Sequence, residues 1–147
     1  LKELVDDEKS KGKSLVFTNG CFDILHPGHI ALLEFAKKQD GFFILGLNSD
    51  ASVRRLKGKG RPVNSEKDRA LNLLNTGLIN AVVTYEEDTP QEITDYFKPD
   101  VLIKGGDYRF ETIVGAPEVA ARGGNVIVFP LVEGHSTTII INERNKK

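Results

Sequence analysis

Two of the three histidines in this 147-residue chain stand three residues apart, in Thr18-Asn19-Gly20-Cys21-Phe22-Asp23-Ile24-Leu25-His26-Pro27-Gly28-His29. Residues at i and i+3 share one face of a helical turn. Pro27 suits the first helical position, where no N–H bond is needed, and Gly28 lets a ligand approach the backbone closely. The free N–H groups of a helix start and the positive end of its dipole attract phosphate. Two imidazoles at that point, His26 and His29, can donate hydrogen bonds to phosphate oxygens as charge builds in phosphoryl or nucleotidyl transfer. Two other readings stay open from these residues alone: a pair of structural histidines, or a pair of metal ligands. Metal-binding histidine pairs on helices more often stand four apart, and no third histidine or second cysteine is near in sequence. Cys21 reads better as a small buried residue than as a nucleophile. The lack of a second glycine after Gly20 lowers the case for a redox dinucleotide module.

Three further stretches carry polar chemistry. Arg54-Arg55-Leu56-Lys57-Gly58-Lys59-Gly60-Arg61-Pro62 places five cations in eight residues of a chain whose net charge is -1. Broken by glycines, it reads as a mobile clamp on phosphates, or as a solvated charged loop. Lys104-Gly105-Gly106-Asp107-Tyr108 lets the backbone approach a base or ribose, with Asp107 as a partner for a hydroxyl or exocyclic amine; the alternative is a tight turn. Ser136, Thr137 and Thr138 precede the apolar run Ile139-Ile140-Ile141. They read as a helix N-cap, as a phosphate cradle, or as both.

These groups need elements to hold them. The apolar runs are short and rich in β-branched residues: Leu15–Phe17, Phe42–Leu47, Ala81–Tyr85, Val101–Ile103 and Val126–Leu131. Each reads as a buried strand of a parallel sheet. Helical patterns lie between them at Gly28–Gln39, Ser65–Asn75, Thr89–Phe97 and Glu118–Arg122, and a last one, Ser136–Arg144, closes the chain. This alternation predicts an α/β fold, a Rossmann-like doubly wound parallel sheet of five strands with helices on both faces. In such sheets the ligand lies beyond the carboxyl ends of the strands, near the switch point. The unusual polar residues all follow strand ends, so they are expected to make one site at one sheet edge.

Length fits one domain over residues 1–147, with residues 1–13 as a charged lead-in helix or tail. The balanced charge argues against a general nucleic-acid grip. No apolar run approaches the roughly 20 residues of a membrane span, and no signal peptide is visible. The lone Cys21 suits a reducing cytoplasm. The absence of methionine and the leucine at position 1 fit a domain cut from a longer protein, or a stand-alone enzyme.

Taken together, Gly20-Cys21-Phe22-Asp23, His26-Pro27-Gly28-His29 and Ser136-Thr137-Thr138 resemble the cytidylyltransferase-like nucleotidyltransferases, in matching order from about Leu15 to the end. Asn48-Ser49-Asp50-Ala51-Ser52, Leu56-Lys57-Gly58, Arg61-Pro62-Val63-Asn64, Glu87-Asp88-Thr89-Pro90-Gln91 and Lys104-Gly105-Gly106-Asp107-Tyr108 resemble the branch formed by the adenylyltransferase domains of ADP-heptose synthases. The resemblance implies transfer of AMP from ATP to D-glycero-β-D-manno-heptose 1-phosphate, giving ADP-heptose for lipopolysaccharide and releasing pyrophosphate. It implies catalytic roles for His26, His29, Lys57 and Lys59. Nucleotide contacts are expected from Thr18, Asn19, Gly20, Cys21, Phe22, Gly28, Gly106, Asp107, Ser136, Thr137 and Thr138. Acceptor contacts are expected from Asp23, Asn48, Asp50, Arg61 and Lys104. Mg²⁺ is expected to ride on the triphosphate with no protein ligands, and the protein to form a homodimer. The arginine of the glycerol-phosphate branch is replaced by Leu131, and Glu86 to Phe97 lacks that branch's substrate lysine. Both departures speak against glycerol 3-phosphate; a cytidylyltransferase acting on another alcohol or sugar phosphate stays the alternative. A non-catalytic nucleotide-binding module leaves the histidine pair and basic stretch without a task.

Overall fold

Alternating hydrophobicity and the two-residue period of a strand divide the apolar residues between two sheet faces. In β1 (Ser14–Gly20), Leu15 and Phe17 point to one side and Val16 to the other. The computed structural model describes residues 1–106 and 109–130, and the backbone of residues 139–141. After α1 (Lys2–Ser10) and β1 come α2 (Pro27–Lys37), β2 (Gly41–Asn48), α3 (Asp50–Lys57), α4 (Glu66–Leu74), β3 (Ala81–Tyr85), α5 (Gln91–Phe97) and β4 (Val101–Gly105). A 3-10 turn at Phe110–Thr112, α6 (Ala116–Ala121), β5 (Asn125–Phe129) and β6 (Ile139–Ile141) complete the order. The strands run β3-β2-β1-β4-β5-β6, with the first five parallel and β6 antiparallel to β5.

Each face is covered, as a parallel sheet requires. Val5 of α1, Ile93 and Phe97 of α5 and Val119 of α6 pack with Leu15, Phe17 and Leu102 on one side. Leu32, Leu33 and Ala36 of α2 and Leu73 of α4 pack with Val16, Phe43, Leu45 and Ile103 on the other. The lead-in helix is part of the fold: Lys9 Nζ donates to the carbonyls of Phe97 (3.2 Å) and Lys98 (2.6 Å) and so caps the end of α5. Among the described residues, no helix is long and apolar enough to cross a membrane.

The doubly wound architecture and its five parallel strands agree with the sequence pattern, and two local expectations need correction. First, Arg54 to Lys57 belong to α3 and not to a loop. Ser49 caps this helix by accepting the Ser52 N–H at 3.2 Å, and Gly58, with φ of 93°, ends it. Second, residues 139–141 are not helical; they form a sixth strand on the edge of β5. Three consecutive β-branched isoleucines favour the extended state, where their χ1 freedom is less restricted. Residues 136–138, expected to cap a helix there, lie outside the described residues.

The chain passes from β1 outward to β2 and β3, then returns across β1 to β4, so the switch point lies between β1 and β4. Their registered ladder covers Val16–Val101 and Phe17–Leu102. The carboxyl ends Thr18–Gly20 and Ile103–Gly105 lie beyond it, at the place where such sheets hold ligands.

Candidate active site

At that edge lies a cleft of about 500 Å³. From the β1 end come Asn19 to Ile24, from α2 His29 and Leu32, from β2 Asn48, and from α3 Leu56 and Lys57. Arg61, Tyr85, Asp88, Pro90, Lys104 and Gly105 close it. The turn that leads into α2 is tight. Phe22 takes a left-handed φ of 45°, and its ring folds back over Gly20, where a Cβ would come within 2.9 Å of it. A bulky residue in that region is strained, and such strain collects at ligand sites. The Phe22 ring then packs against His29, with centroids 5.2 Å apart.

The two histidines cap α2 reciprocally. His26 Nδ1 accepts the Gly28 N–H at 3.1 Å, and His29 Nδ1 accepts the His26 N–H at 3.4 Å. The rings stack with centroids 3.8 Å apart. A ring nitrogen that accepts carries no proton, so the neutral His29 ring keeps its hydrogen on Nε2, as a donor. That tautomer suits an anion; a metal needs a bare nitrogen. Burial lowers the His29 pKa to about 4, reinforced by the charges of His26 and Lys57 and opposed by the Ile24 carbonyl. His29 is therefore a neutral donor at pH 7. His26 is exposed at the rim and does not line the cleft. The Gly28 N–H, expected to be open to phosphate, is taken up by His26.

The cleft carries a positive balance. Lys57, Arg61 and Lys104 line it. Burial pushes the Lys104 ammonium below the usual lysine range, partly offset by the nearby Cys21 sulfur. The acids on the walls are answered locally. Asp88 pairs with Arg55 Nε at 3.0 Å, and Arg55 also donates to the Glu86 carbonyl. Asp23 accepts the N–H groups of Val63 (2.6 Å) and Asn64 (2.8 Å) and lies 3.8 Å from Arg61. Desolvation raises the Asp23 pKa, but those N–H bonds and the Arg69 and Arg61 charges outweigh it and hold the group below the usual carboxylate range. Asp23 thus ties down the segment that carries Arg61.

Several expected contacts lie elsewhere. Thr18 is fully buried within the sheet and does not line the cleft. Asp50 sits in a neighbouring hollow of about 370 Å³ with Arg54, Gly60, Arg61, Pro62 and Ser65, and its carboxylate accepts from Arg69 at 2.8 Å. Lys59 is exposed beside the cleft without lining it. Gly106 is also absent from the lining, and its N–H goes to the Phe129 carbonyl. Asp107, Ser136, Thr137 and Thr138 lie outside the described residues. Among those described, no group of three or more His, Cys, Asp or Glu is placed to hold a metal.

Two residues carry more of the site than their sequence context signals. Arg69, fully buried on α4, donates to the carbonyls of Cys21 (2.9 Å), Asn48 (2.8 Å) and Asn64 (3.0 Å), besides Asp50. One guanidinium thus joins the ends of β1 and β2 to the 61–64 segment. Tyr85, at the end of β3, sits opposite Asn48 in register and hydrogen-bonds to Asn19 and Asn48. The signal for Arg69 was its place four residues before the core residue Leu73, on the helix stripe that faces the sheet.

The chain is 50% identical over 141 residues to the bifunctional protein HldE of Syntrophotalea carbinolica, covering 96% of this chain and 29% of that one. It is 51% identical over 145 residues to the protein of the same name from Marinomonas sp., covering 99% and 30%. The chain therefore spans about 30% of the length of these relatives. A lipopolysaccharide core biosynthesis protein from Thermoplasma volcanium shares the fold with a TM-score of 0.67 at 22% identity, over 84% of this chain and all of that one. A pantoate-beta-alanine ligase from Francisella tularensis shares it with a TM-score of 0.57 at 13% identity, over 88% and 64%. The Cytidylyltransferase-like family model matches residues 17–143, and the chain belongs to that family.

Proposed function

We propose that this protein transfers AMP from ATP to D-glycero-β-D-manno-heptose 1-phosphate, giving ADP-heptose and pyrophosphate for lipopolysaccharide assembly. The observation that carries the reading is His29, held neutral by burial with its Nδ1 accepting the His26 N–H, inside a cleft lined by Lys57, Arg61 and Lys104. Membership of the family supports nucleotidyl transfer. The half-identity to the HldE proteins supports the heptose branch.

In the proposed reaction an oxygen of the sugar phosphate attacks the α-phosphorus of ATP in line, and the bond to the pyrophosphate oxygen breaks. The acceptor phosphate is already anionic near pH 7, so no strong general base is required. Catalysis is positioning and charge stabilisation. His29 donates Nε2–H to oxygens of the α- and β-phosphates, while His26 stacks on it and fixes the helix start. Lys57, Arg61 and Lys104 offset phosphate charge, and Lys59 joins from outside the cleft. Asn48 and Asp23 act on the wall behind the ligand through their own hydrogen bonds, and Asp50 acts from the neighbouring hollow by accepting from Arg69. The carboxylates of Asp23 and Asp50 are engaged by N–H groups, and among the described residues no group of three or more His, Cys, Asp or Glu is placed for a protein-held cation. Mg²⁺ would be carried by the triphosphate and not by a protein cage, and would supply charge neutralisation there. By analogy with the family, the protein acts as a homodimer in the cytoplasm.

A pyrophosphate-release assay over ATP and CTP, each with heptose 1-phosphate, other sugar 1-phosphates and glycerol 3-phosphate, tests the reading. Turnover is expected with ATP and the heptose. Preference for CTP or for glycerol 3-phosphate moves the protein to another branch, and nucleotide binding without turnover on any acceptor makes it a binding module.

A further inference from the structure

A chain of hydrogen bonds with one fixed direction runs from the β3–α5 loop to the cleft. It starts at the main-chain carbonyl of Glu87, which only accepts. Ser52 Oγ donates to it at 3.4 Å and so spends its single hydrogen. The same hydroxyl therefore accepts from Asn48 Nδ2, at 3.0 Å. That orients the buried Asn48 amide with Oδ1 on its other side, where it receives the Tyr85 hydroxyl at 3.1 Å and the Cys21 thiol at 3.8 Å. Burial raises the Tyr85 pKa above its ordinary value, so the hydroxyl keeps its proton. With that proton given to Asn48, Tyr85 Oη accepts from Asn19 Nδ2 at 3.2 Å. The Asn19 amide is oriented in turn, and among the described residues its Oδ1 has no partner.

Asn19 lines the cleft. A phosphate oxygen, itself an acceptor, is repelled by a carbonyl oxygen, whereas a hydroxyl is bound by it. Asp88 adds a second acceptor and Arg61 a cation to the same cleft, a combination that suits a polyol carrying a phosphate. We propose that Asn19, oriented by Tyr85, presents Oδ1 as the acceptor for a substrate hydroxyl, which makes Asn19 a specificity determinant and Tyr85 its positioning residue. The hydroxyl belongs to the acceptor sugar or to the nucleotide ribose; naming it rests on the adenylyl-transfer assignment, the direction of the chain does not.

Tyr85→Phe keeps the ring and removes the link, and Asn19→Ala removes the acceptor. In ligand-free protein, the Asn19 side-chain amide is expected to show one hydrogen-bonded, slowly exchanging proton by NMR, lost in Tyr85→Phe. In turnover, both variants are expected to raise one KM about 3- to 10-fold, the worth of one neutral hydrogen bond, with kcat within about twofold. A rise in the acceptor KM, with discrimination against deoxy-sugar phosphates abolished, assigns the sugar. A rise in the ATP KM, with discrimination against 2′- or 3′-deoxy-ATP abolished, assigns the ribose. Either result supports the proposal. An Asn19 amide signal indifferent to Tyr85→Phe overturns it, as does weakened binding of tripolyphosphate with both KM ratios unchanged. Absence of turnover by the wild-type protein on every sugar phosphate refutes the adenylyl-transfer assignment instead, and the amide signal still decides the chain.

Discussion

The imidazoles of His26 and His29 stack 3.8 Å apart, each with its Nδ1 occupied by a backbone N–H of the same helix start. The pair is thus a cap and a donor array at once. His29 faces the cleft and His26 holds its ring from the rim. His29→Ala is expected to lower kcat on the order of 10² to 10³ with the protein folded, as for other single contacts to developing charge. His26→Ala removes a cap and is expected to destabilise by about 1 kcal/mol, with a smaller effect on rate. Steady-state kinetics with circular dichroism as the folding check separates the two. Near-normal turnover of His29→Ala contradicts the assigned role.

The neutral state of His29 has a pH signature. Its folded pKa, about 4, lies below the ordinary histidine value of 6.5, so the unfolded chain binds the extra proton between those limits. Stability from this group is complete above pH 6.5 and is lost as pH falls through the folded value. Solvent screening of a half-exposed ring reduces the loss to about 1 kcal/mol. NMR titration is expected to place the His29 midpoint near 4 in free protein, and bound triphosphate to move it upward, because an anion favours the imidazolium. A midpoint at the ordinary histidine value, unmoved by nucleotide, counts against this environment.

Asp23 and Asn64 form the second lock of the site. Asn64 N–H donates to Asp23 Oδ1 at 2.8 Å, and Asn64 Nδ2 donates to the Asp23 carbonyl at 2.7 Å. Asp23→Ala unties the 61–64 segment and with it Arg61. The ATP KM is expected to rise on the order of tenfold, the equivalent of one charge-assisted bond. Hydrogen exchange at Val63 and Asn64 is expected to accelerate in the same variant. Unchanged exchange there shows that the segment is held by other means.

Arg69 is a stability prediction. Its guanidinium is fully buried and serves three carbonyls and one carboxylate. Arg69→Ala leaves those groups unpaired, which costs about 3 kcal/mol or more, and roughly 6–12 °C in Tm for a chain of this size. Thermal denaturation checks it, and a shift under about 2 °C contradicts the central place given to Arg69.

The sheet was legible because its parallel strands read as plain apolar runs, even the half-buried edge strand: Ala81–Tyr85 is found where the run lies, and Leu15–Phe17 extends to Ser14–Gly20. The start of α2 was legible from His26-Pro27. The α3 helix was not, because Arg54, Arg55 and Lys57 mask a stripe that buries little beyond Ser52 and Val53. Arg69 was missed for a related reason. A cation in a helical pattern reads as solvated, and its burial here depends on carbonyls from two distant strand ends, Cys21 and Asn48, besides the nearby Asn64. The isoleucines at 139–141 were read as helix from the Ser-Thr-Thr before them, whereas pairing with β5 decides their state. The direction of the Tyr85 chain is set by a backbone carbonyl and has no trace in sequence.

ATP labelled at the α-phosphorus, incubated with the protein and D-glycero-β-D-manno-heptose 1-phosphate, tests the account most directly. The label is expected to appear in ADP-heptose with release of unlabelled pyrophosphate, and to do so about 10² to 10³ times more slowly with His29→Ala. Label that stays in ATP, or that reaches product equally fast without His29, contradicts it.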